Sequence, residues 1–268
     1  MRIAAAVEYC GANYYGWQKQ SGQAATVQAS VESALSSVAN HPVEIQCAGR
    51  TDAGVHAAEQ IIHFDTDANR QPRSWLLGAN TLLPADINLV WVCPVSDEFN
   101  ARFSAVSRRY HYLILNRPVR SALASRQITW ERLPLDALRM AAAANDLLGE
   151  HDFTSYRAVS CQSRTPFRNI IRLDVVREEN LVIIDIEANA FLHHMVRNIA
   201  GVLMSIGRGK EPVSWARQVL EARNRTQGGI TAPADGLYLV NVKYDEKYSL
   251  PQPKSGIKII KTIASLCQ

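Results

Sequence analysis

An aspartate follows an arginine closely and lies between two glycines in residues 49–57, which read Gly-Arg-Thr-Asp-Ala-Gly-Val-His-Ala. Loops on a rigid scaffold carry functional groups more often than element interiors do, and flanking glycines let a backbone approach a ligand closely. Asp52 therefore has the setting of a functional carboxylate. The alternative is that its side chain organises a turn through hydrogen bonds to the backbone.

A second candidate lies in residues 108–112, where Arg108 and Arg109 precede Tyr110. Alternation along a strand places Tyr110 and Tyr112 on one face. A tyrosine ring beside arginines can stack on an unpaired base while the arginines neutralise nearby phosphates. The alternative is that these are core tyrosines.

Arg197 interrupts residues 191–206, a stretch that is apolar around much of a predicted helix. A buried arginine needs an anionic partner, because an unpaired buried charge is strongly destabilising, and a carboxylate such as Asp52 or a phosphate would serve. The alternative is an arginine that reaches solvent at the helix edge.

The adjacent His193 and His194 point about 100° apart on a helix. They cannot form the i, i+4 pair of a helical zinc site, so we expect no metal.

The elements that position these residues follow from apolar spacing. In the first part of the chain the order is βαββαβ. The predicted strands are 2–9, 43–47, 60–64 and 89–95, and the predicted helices are 27–38, with Thr26 as N-cap, and 73–78.

The second part repeats this order. Its predicted strands are 109–115, 170–177, 181–188 and 237–242, and its predicted helices are 134–148, 191–206 and 214–222. Pro134 is expected in the first turn of its helix, and Gly207 and Gly209 are expected to end the apolar helix.

Two copies of a split βαβ pattern imply an α+β fold with two halves, residues 1–104 and 105–245. Each half would be an antiparallel sheet backed by helices, with a cleft between the two sheets. Residues 246–268 have no comparable pattern, apart from a short apolar stretch at 257–263, and are predicted to form a C-terminal appendage.

The composition indicates a globular protein. The chain has 268 residues, 47% of them hydrophobic, but no apolar run approaches the roughly 20 residues that cross a bilayer, and no signal peptide is evident. We therefore expect a cytoplasmic protein that does not enter a membrane. Its five cysteines are far apart and indicate neither a disulfide framework nor a zinc site. No motif supports a hydrolase, kinase or dehydrogenase.

The net charge of +4 and the pI near 8.8 permit a polyanionic partner. Basic residues gather in three groups that suit phosphate contacts, although a solvated surface is the alternative. The groups are Arg102, Arg108 and Arg109; Arg164, Arg168 and Arg172; and Arg208, Lys210, Arg217, Arg223 and Arg225.

Three ordered segments resemble the signatures of the tRNA pseudouridine synthase A family. They are Tyr14-Tyr15-Gly16-Trp17-Gln18, residues 49–57, and Phe191-Leu192-His193-His194-Met195-Val196-Arg197-Asn198. Shorter matches include Arg102-Phe103-Ser104 and His151-Asp152-Phe153, and the resemblance runs from about Arg2 to Tyr244. Cys10 and His193 depart from the family pattern, which usually has Asp at the first position and often Tyr at the second.

The resemblance implies two βαββαβ, ferredoxin-like halves around a shared central sheet, and a homodimer. It implies isomerisation of uridine to pseudouridine at positions 38, 39 and 40 of the tRNA anticodon stem-loop. Asp52 would be the catalytic nucleophile, Arg50 would bind the substrate, Tyr110 would stack on the target base, and Arg197 would pair with Asp52. Whether the Tyr110 hydroxyl also moves a proton stays open.

The residues fit this chemistry. The reaction breaks the C1′–N1 bond, turns the uracil and joins C1′ to C5 without redox change or hydrolysis, so no cofactor is expected. An aspartate acts as a nucleophile only when ionised, a state that Arg197 would favour. Whether Asp52 attacks the ribose or the base, or assists a proton shift, stays open. The alternatives are a non-catalytic RNA-binding protein and a uridine isomerase acting on another RNA.

Overall fold

The computed structural model describes residues 1–20 and 24–251, which form ten strands and five α-helices. The strands are β1 (Arg2–Tyr9), β2 (Gln46–Cys47), β3 (His56–Asp65), β4 (Ile87–Val95), β5 (Ala105–Asn116), β6 (Thr129–Glu131), β7 (Gly149–Asp152), β8 (Phe167–Glu178), β9 (Leu181–Ala188) and β10 (Leu237–Tyr244). The helices are α1 (Val27–Ala39), α2 (Pro72–Leu82), α3 (Ala137–Ala144), α4 (Met195–Gly207) and α5 (Trp215–Ala222). This mixture of sheet and helix agrees with the predicted α+β class.

The chain divides into two compact units. Among the described residues, unit 1 comprises Met1–Val106 and residues 238–251, and unit 2 comprises Ser107–Leu237. The predicted appendage begins within unit 1, where the Tyr248 hydroxyl donates to Ser104 Oγ at 3.3 Å. The rest of it, residues 252–268, including the apolar stretch at 257–263, lies outside the described residues.

The strands of unit 1 follow the order β4-β1-β3-β10, and β2 also pairs with β3. β1 is antiparallel to both neighbours, with Ala5 opposite Ile62 on β3 and Val92 on β4. β10 is parallel to β3. Helices α1 and α2 contact each other, and Trp75 of α2 packs edge-on against Phe64 of β3. One face of this sheet is therefore covered by helix, which fixes the strands that flank the Asp52 loop.

The strands of unit 2 follow the order β5-β9-β8-β7, all antiparallel, with β6 parallel to β5. Helix α3 contacts β8 and α4, and α4 contacts α5. Eleven of the thirteen residues of α4 are buried, as its apolar spacing predicts. Gly207 lets α4 approach α3, because a Cβ there would lie 2.7 Å from Met140 Sδ. The helix is therefore a central part of the core of unit 2.

Several predicted elements are confirmed. β1 and β9 have the predicted bounds. Thr26 caps α1, since its hydroxyl accepts a hydrogen bond from Ala29 N at 3.4 Å. β3, β4, β5, β8 and β10 extend one or more residues beyond their predicted ends. Repeated apolar spacing thus located the long elements better than it located their ends.

Other predicted bounds are wrong. Pro134 is not in the first turn of a helix, because α3 begins at Ala137 and Asp136 is its N-cap, accepting from Leu138 N and Arg139 N. Only two residues of the predicted strand 43–47 pair with β3. The short strands β6 and β7 were not predicted, because their pairing depends on partners distant in sequence.

None of the helices in residues 1–20 and 24–251 combines the length and the hydrophobicity that a membrane span requires.

A buried carboxylate on β3 makes the stability of unit 1 depend on pH. Burial raises the pKa of Glu59 to about 7, although hydrogen bonds from Trp91 Nε1 (3.5 Å) and Asn241 Nδ2 (3.3 Å) oppose the rise. Only 5% of Glu59 is exposed. Below the pKa that Glu59 has in the unfolded chain, Glu59 is protonated in both the folded and the unfolded state. Between that pKa and about pH 7, Glu59 ionises in the unfolded state but not in the folded state, so the free energy of unfolding falls as pH rises.

We expect Glu59→Gln to remove this dependence. The free energy of unfolding of the variant, relative to wild type, should increase by roughly 3 kcal/mol between pH 4 and 8. Urea unfolding followed by circular dichroism across this range measures it. The exposed Glu44→Gln is the matched control and should follow wild type. Parallel pH profiles for Glu59→Gln and wild type would contradict the prediction.

Candidate active site

The Asp52 loop joins β2 to β3 in unit 1 and presents Arg50 and Asp52 differently. Arg50 is exposed and Asp52 is half-buried, while the intervening Thr51 is buried. Val55 N donates to Asp52 O at 3.2 Å, which closes a turn directly after the aspartate. Asp52 can therefore both form a turn and serve as a functional carboxylate. Its backbone makes the turn, and its side chain keeps partial access to solvent.

The segment that follows β1 holds this loop through its backbone. Trp17 N donates to Thr51 O at 3.0 Å, and Gly54 N donates to Tyr14 O at 3.3 Å. Gly16 has φ of +91°, and a Cβ on it would lie 2.8 Å from Thr51 O. The glycine therefore serves both a left-handed turn and a close approach of two backbones.

Buried side chains also hold the Asp52 loop. The hydroxyls of Tyr9 and Thr51 are 2.7 Å apart and buried. The Tyr9 ring packs against Trp17, with centroids 5.7 Å apart, and Trp17 is only 1% exposed. The sequence did not reveal this contact, because its partners are 42 residues apart. A sign of it in the sequence is that residues 11–18 are rich in glycine and aromatic residues. The burial of Trp17 shows that this side chain serves packing.

The predicted tyrosines lie on β5 in unit 2 and are both buried. Tyr112 is a core residue, because its hydroxyl lies 2.7 Å from Thr129 Oγ1 and donates to Pro233 O at 2.9 Å. Tyr110 is 7% exposed, and its ring meets Phe191 edge to face with centroids 5.1 Å apart. Tyr110 thus retains a small accessible area, and Phe191 holds its ring in place.

Arg197 lies in the first turn of α4 in unit 2 and is half-buried. Its Nε donates to Ala232 O at 2.9 Å, and Ala232 N donates back to Arg197 O at 3.1 Å. This double contact ties α4 to the segment before β10. Arg50 and Asp52 thus share one loop of unit 1, whereas Tyr110 and Arg197 belong to unit 2.

The prediction that residues 191–194 are helical is wrong. The helix begins at Met195, and His194 adopts a left-handed conformation with φ of 62°. The rings of His193 and His194 are 4.0 Å apart. The helical geometry used to argue against a metal therefore does not apply to these residues, and the absence of a metal stays an expectation.

Many of the clustered basic residues pair within the protein. Arg109 and Arg172 contact Asp185, Arg208 contacts Glu131, and Arg217 contacts Asp146. Arg168 donates to Ser163 Oγ and to backbone carbonyls. Arg102 is exposed and lies over the ring of Phe103, 5.4 Å from its centroid. The clusters of the sequence are therefore partly structural, whereas Arg50 and Arg102 of unit 1 are exposed.

Comparison with known proteins supplies the context for these residues. A family model described as tRNA pseudouridine synthase matches residues 5–104 and 143–245. These ranges include Arg50, Asp52 and Arg197 and leave out Tyr110.

Curated relatives named tRNA pseudouridine synthase A match almost the whole chain. The protein of Methylococcus capsulatus is 57% identical over 93% of this chain and 92% of its own length. The protein of Tolumonas auensis is 56% identical over 96% of this chain and 98% of its own length. An Escherichia coli protein is 52% identical over 95% of this chain and 94% of its own length.

Proposed function

Because the chain belongs to the tRNA pseudouridine synthase family and is therefore an isomerase that acts on tRNA, we propose that its targets are uridines 38, 39 and 40 of the anticodon stem-loop. The relatives' names supply the tRNA and the reaction. The target positions come from the resemblance of the three signature segments. Family membership gives no support to the alternative of a non-catalytic RNA-binding protein.

Asp52 is the proposed nucleophile. One observation carries this role: the carboxylate is half-buried on a loop whose backbone is bonded to the segment 11–17 on one side and closed by its own turn on the other. Such a loop holds a reacting group in place before the substrate arrives, which lowers the cost of reaching the transition state. Asp52 would attack the substrate, and the C1′–N1 bond would break so that C1′ can rejoin at C5.

The other site residues take supporting roles. Arg50, exposed two residues before the aspartate, would bind a phosphate of the substrate. Tyr110 would stack on the target base after it leaves the helical stack. Arg197 would pair with Asp52 and balance its charge. The carbonyl oxygen of Ala232 accepts a hydrogen bond from Arg197 Nε, which helps to orient the guanidinium group.

The proposal also covers the architecture, the oligomeric state and the cellular location. We propose two ferredoxin-like halves, residues 1–104 and 105–245, around a shared central sheet with the active-site cleft between them. An appendage at 246–268 follows them. It also includes a homodimer, a cytoplasmic location and a reaction without cofactor. Sedimentation analysis and activity after chelator treatment address the homodimer and the absence of a metal.

The test is tritium release. Unmodified tRNA carrying tritium at C5 of its uridines is incubated with the purified protein, because joining C1′ to C5 expels the C5 hydrogen. We expect release equivalent to the uridines at positions 38–40, and none from a tRNA that lacks uridine there. Release from other uridines only would assign the enzyme to a different RNA site.

The backbone contact at Gly16 gives a prediction for the loop. In Gly16→Ala, the new Cβ would meet Thr51 O at a φ that disfavours side chains. We expect the free energy of unfolding to fall by about 1–2 kcal/mol. Turnover should fall by at least about tenfold, because Asp52 is displaced. Urea unfolding and tritium release measure the two effects.

Gly209→Ala is the matched control for this prediction. Gly209 also has a positive φ, +73°, but nothing lies within 4 Å of the position of its Cβ. This variant should lose less stability, from backbone strain alone, and keep wild-type turnover. Equal turnover in both variants would show that the Gly16 contact does not position Asp52.

A further inference from the structure

The turn between β4 and β5 is fixed by a complete set of hydrogen bonds. Asn100 Oδ1 accepts from Arg102 N at 2.9 Å and from Phe103 N at 3.0 Å. Ser104 N donates to Asn100 O, and Ser104 Oγ accepts from Asn100 N. Ala101 is buried and anchored by His63 Nδ1, which accepts from its N at 3.1 Å. The conformation of this turn is therefore determined by the protein itself.

This ordered turn holds an aromatic ring in solvent. Phe103 is 77% exposed, although Phe99, four residues earlier, is fully buried. Arg102 lies over the Phe103 ring, 5.4 Å from its centroid. An exposed aromatic ring beside a cation, on a turn that holds it outward, offers a stacking surface with a positive charge next to it.

The turn lies next to the Asp52 loop in unit 1. Asn100 Nδ2 donates to Gln46 Oε1 at 3.3 Å, and Gln46 belongs to the strand that leads into that loop. Burial raises the pKa of the Cys47 thiol to about 12, while Arg50 and Arg102 both act to lower it. Both guanidinium groups are thus within electrostatic reach of one side chain at the entrance to the loop. Arg50, Arg102 and Phe103 form a surface that we call the Phe103 patch.

We propose that the Phe103 patch grips unpaired nucleotides of the substrate RNA, with Phe103 stacking on a base and Arg102 contacting the adjoining phosphate. The inference rests on the proposed function, which brings the loop of a tRNA stem-loop to the Asp52 loop. Two features favour an RNA over a protein partner. The patch pairs a ring with positive charges, and it adjoins the loop that carries the proposed nucleophile.

The first test is binding of unmodified tRNA in the Asp52→Asn background, where turnover does not interfere. Stacking of one base predicts that Phe103→Ala raises the Kd by about 5- to 100-fold. Phe103→Trp should stay within about threefold of the parent, because it keeps an aromatic face. A tRNA whose anticodon loop is closed by base pairs should bind the parent and Phe103→Ala equally, since it offers no unpaired base there.

The second test separates the ring from the charge. Arg102→Gln should reduce the slope of log Kd against log salt concentration by about 0.7, the value for one phosphate on a single strand. Phe103→Ala should leave that slope unchanged, because stacking releases no counterion. A reduced slope in Phe103→Ala would overturn the assigned division of roles.

Leu138→Ala is the control for loss of an exposed apolar side chain, since Leu138 is 84% exposed on α3. It should bind tRNA as the parent does, and both alanine variants should keep the parent unfolding midpoint. The proposal fails if Phe103→Ala binds normally while wild type still releases tritium from positions 38–40. It also fails if Phe103→Ala changes the oligomeric mass, which would assign the ring to a protein contact. Weakened binding without isomerisation at those positions would contradict the proposed function alone.

Discussion

Asp52→Asn should abolish tritium release, with a loss of about 10³-fold or more, while the Kd for tRNA stays within about threefold of wild type. The amide has nearly the same shape as the carboxylate but is neither a nucleophile nor a base at neutral pH. Because Asp52 is half-buried on a loop held mainly by backbone hydrogen bonds, the substitution should leave the loop in place. Single-turnover assays with excess enzyme, together with equilibrium binding, measure the two quantities.

The matched control is Asp67→Asn, which removes the same charge from an exposed position of unit 1. Any change in tRNA affinity that comes from net charge alone should appear in both variants, whereas turnover should fall only in Asp52→Asn. A large loss of affinity or of unfolding free energy in Asp52→Asn would make the residue structural. Persistent turnover would show that another group performs the chemistry.

The fold was most predictable where burial repeats regularly along the chain. β9 is buried at all eight positions, and its predicted bounds, 181–188, are confirmed. Prediction failed where tertiary partners decide. Val43 and Ile45 alternate as in a strand and are buried, yet only Gln46 and Cys47 pair with β3. Val43 N and Ile45 N donate instead to Ser36 Oγ and Glu32 Oε1 of α1.

The helix starts show a competition between local signals. Pro134 favoured a helix that begins at residue 134, but α3 begins at Ala137, where the side chain of Asp136 caps it. At α4 the apolar run continues back to Phe191, but His194 turns left-handed, so the helix begins at Met195. Apolar spacing alone cannot show where a chain leaves the helical conformation.

The proposed site was predictable as residues but not as contacts. Arg50 and Asp52 stood out because of the glycines around them. The support from Tyr9 did not, because a tyrosine on a strand gives no sign of its partner. The exposure of Phe103 was equally hidden, since a phenylalanine is usually counted as core. Arg109 looked like a phosphate ligand until its bidentate contact with Asp185 was known.

That contact leads to the largest expected effect on stability. Asp185 on β9 accepts from Arg109 Nε at 2.7 Å and Nη2 at 2.5 Å, and Arg172 Nε lies 3.0 Å from its Oδ2. His111 Nε2 lies 3.4 Å away. Asp185→Ala should lower the free energy of unfolding by about 3 kcal/mol, because it leaves the partly buried Arg109 without its carboxylate and removes one of the two carboxylates that contact Arg172. Urea unfolding monitored by circular dichroism measures the loss.

The control for this prediction lies opposite Asp185 in the sheet. Asp174 on β8 also pairs with Arg172, at 2.6 Å, but its side chain is 49% exposed. Asp174→Ala should therefore cost less than about 1 kcal/mol. A comparable loss in the two variants would show that burial of Asp185 does not set the strength of its contacts.

The pH dependence provides an independent check on Asp185. Burial tends to raise the pKa of Asp185, but Arg109 and His111 outweigh that effect and hold it well below its ordinary value. The contribution of Asp185 to the free energy of unfolding is therefore complete above the pKa of this residue in the unfolded chain, about 4. It is lost as the pH falls toward the lower pKa of Asp185 in the folded protein. The difference in stability between wild type and Asp185→Ala should be at its full value near pH 5 and shrink below pH 4. A difference that stayed constant through acid pH would mean that the substitution acts through lost packing, since only an ionised carboxylate can balance the two arginines.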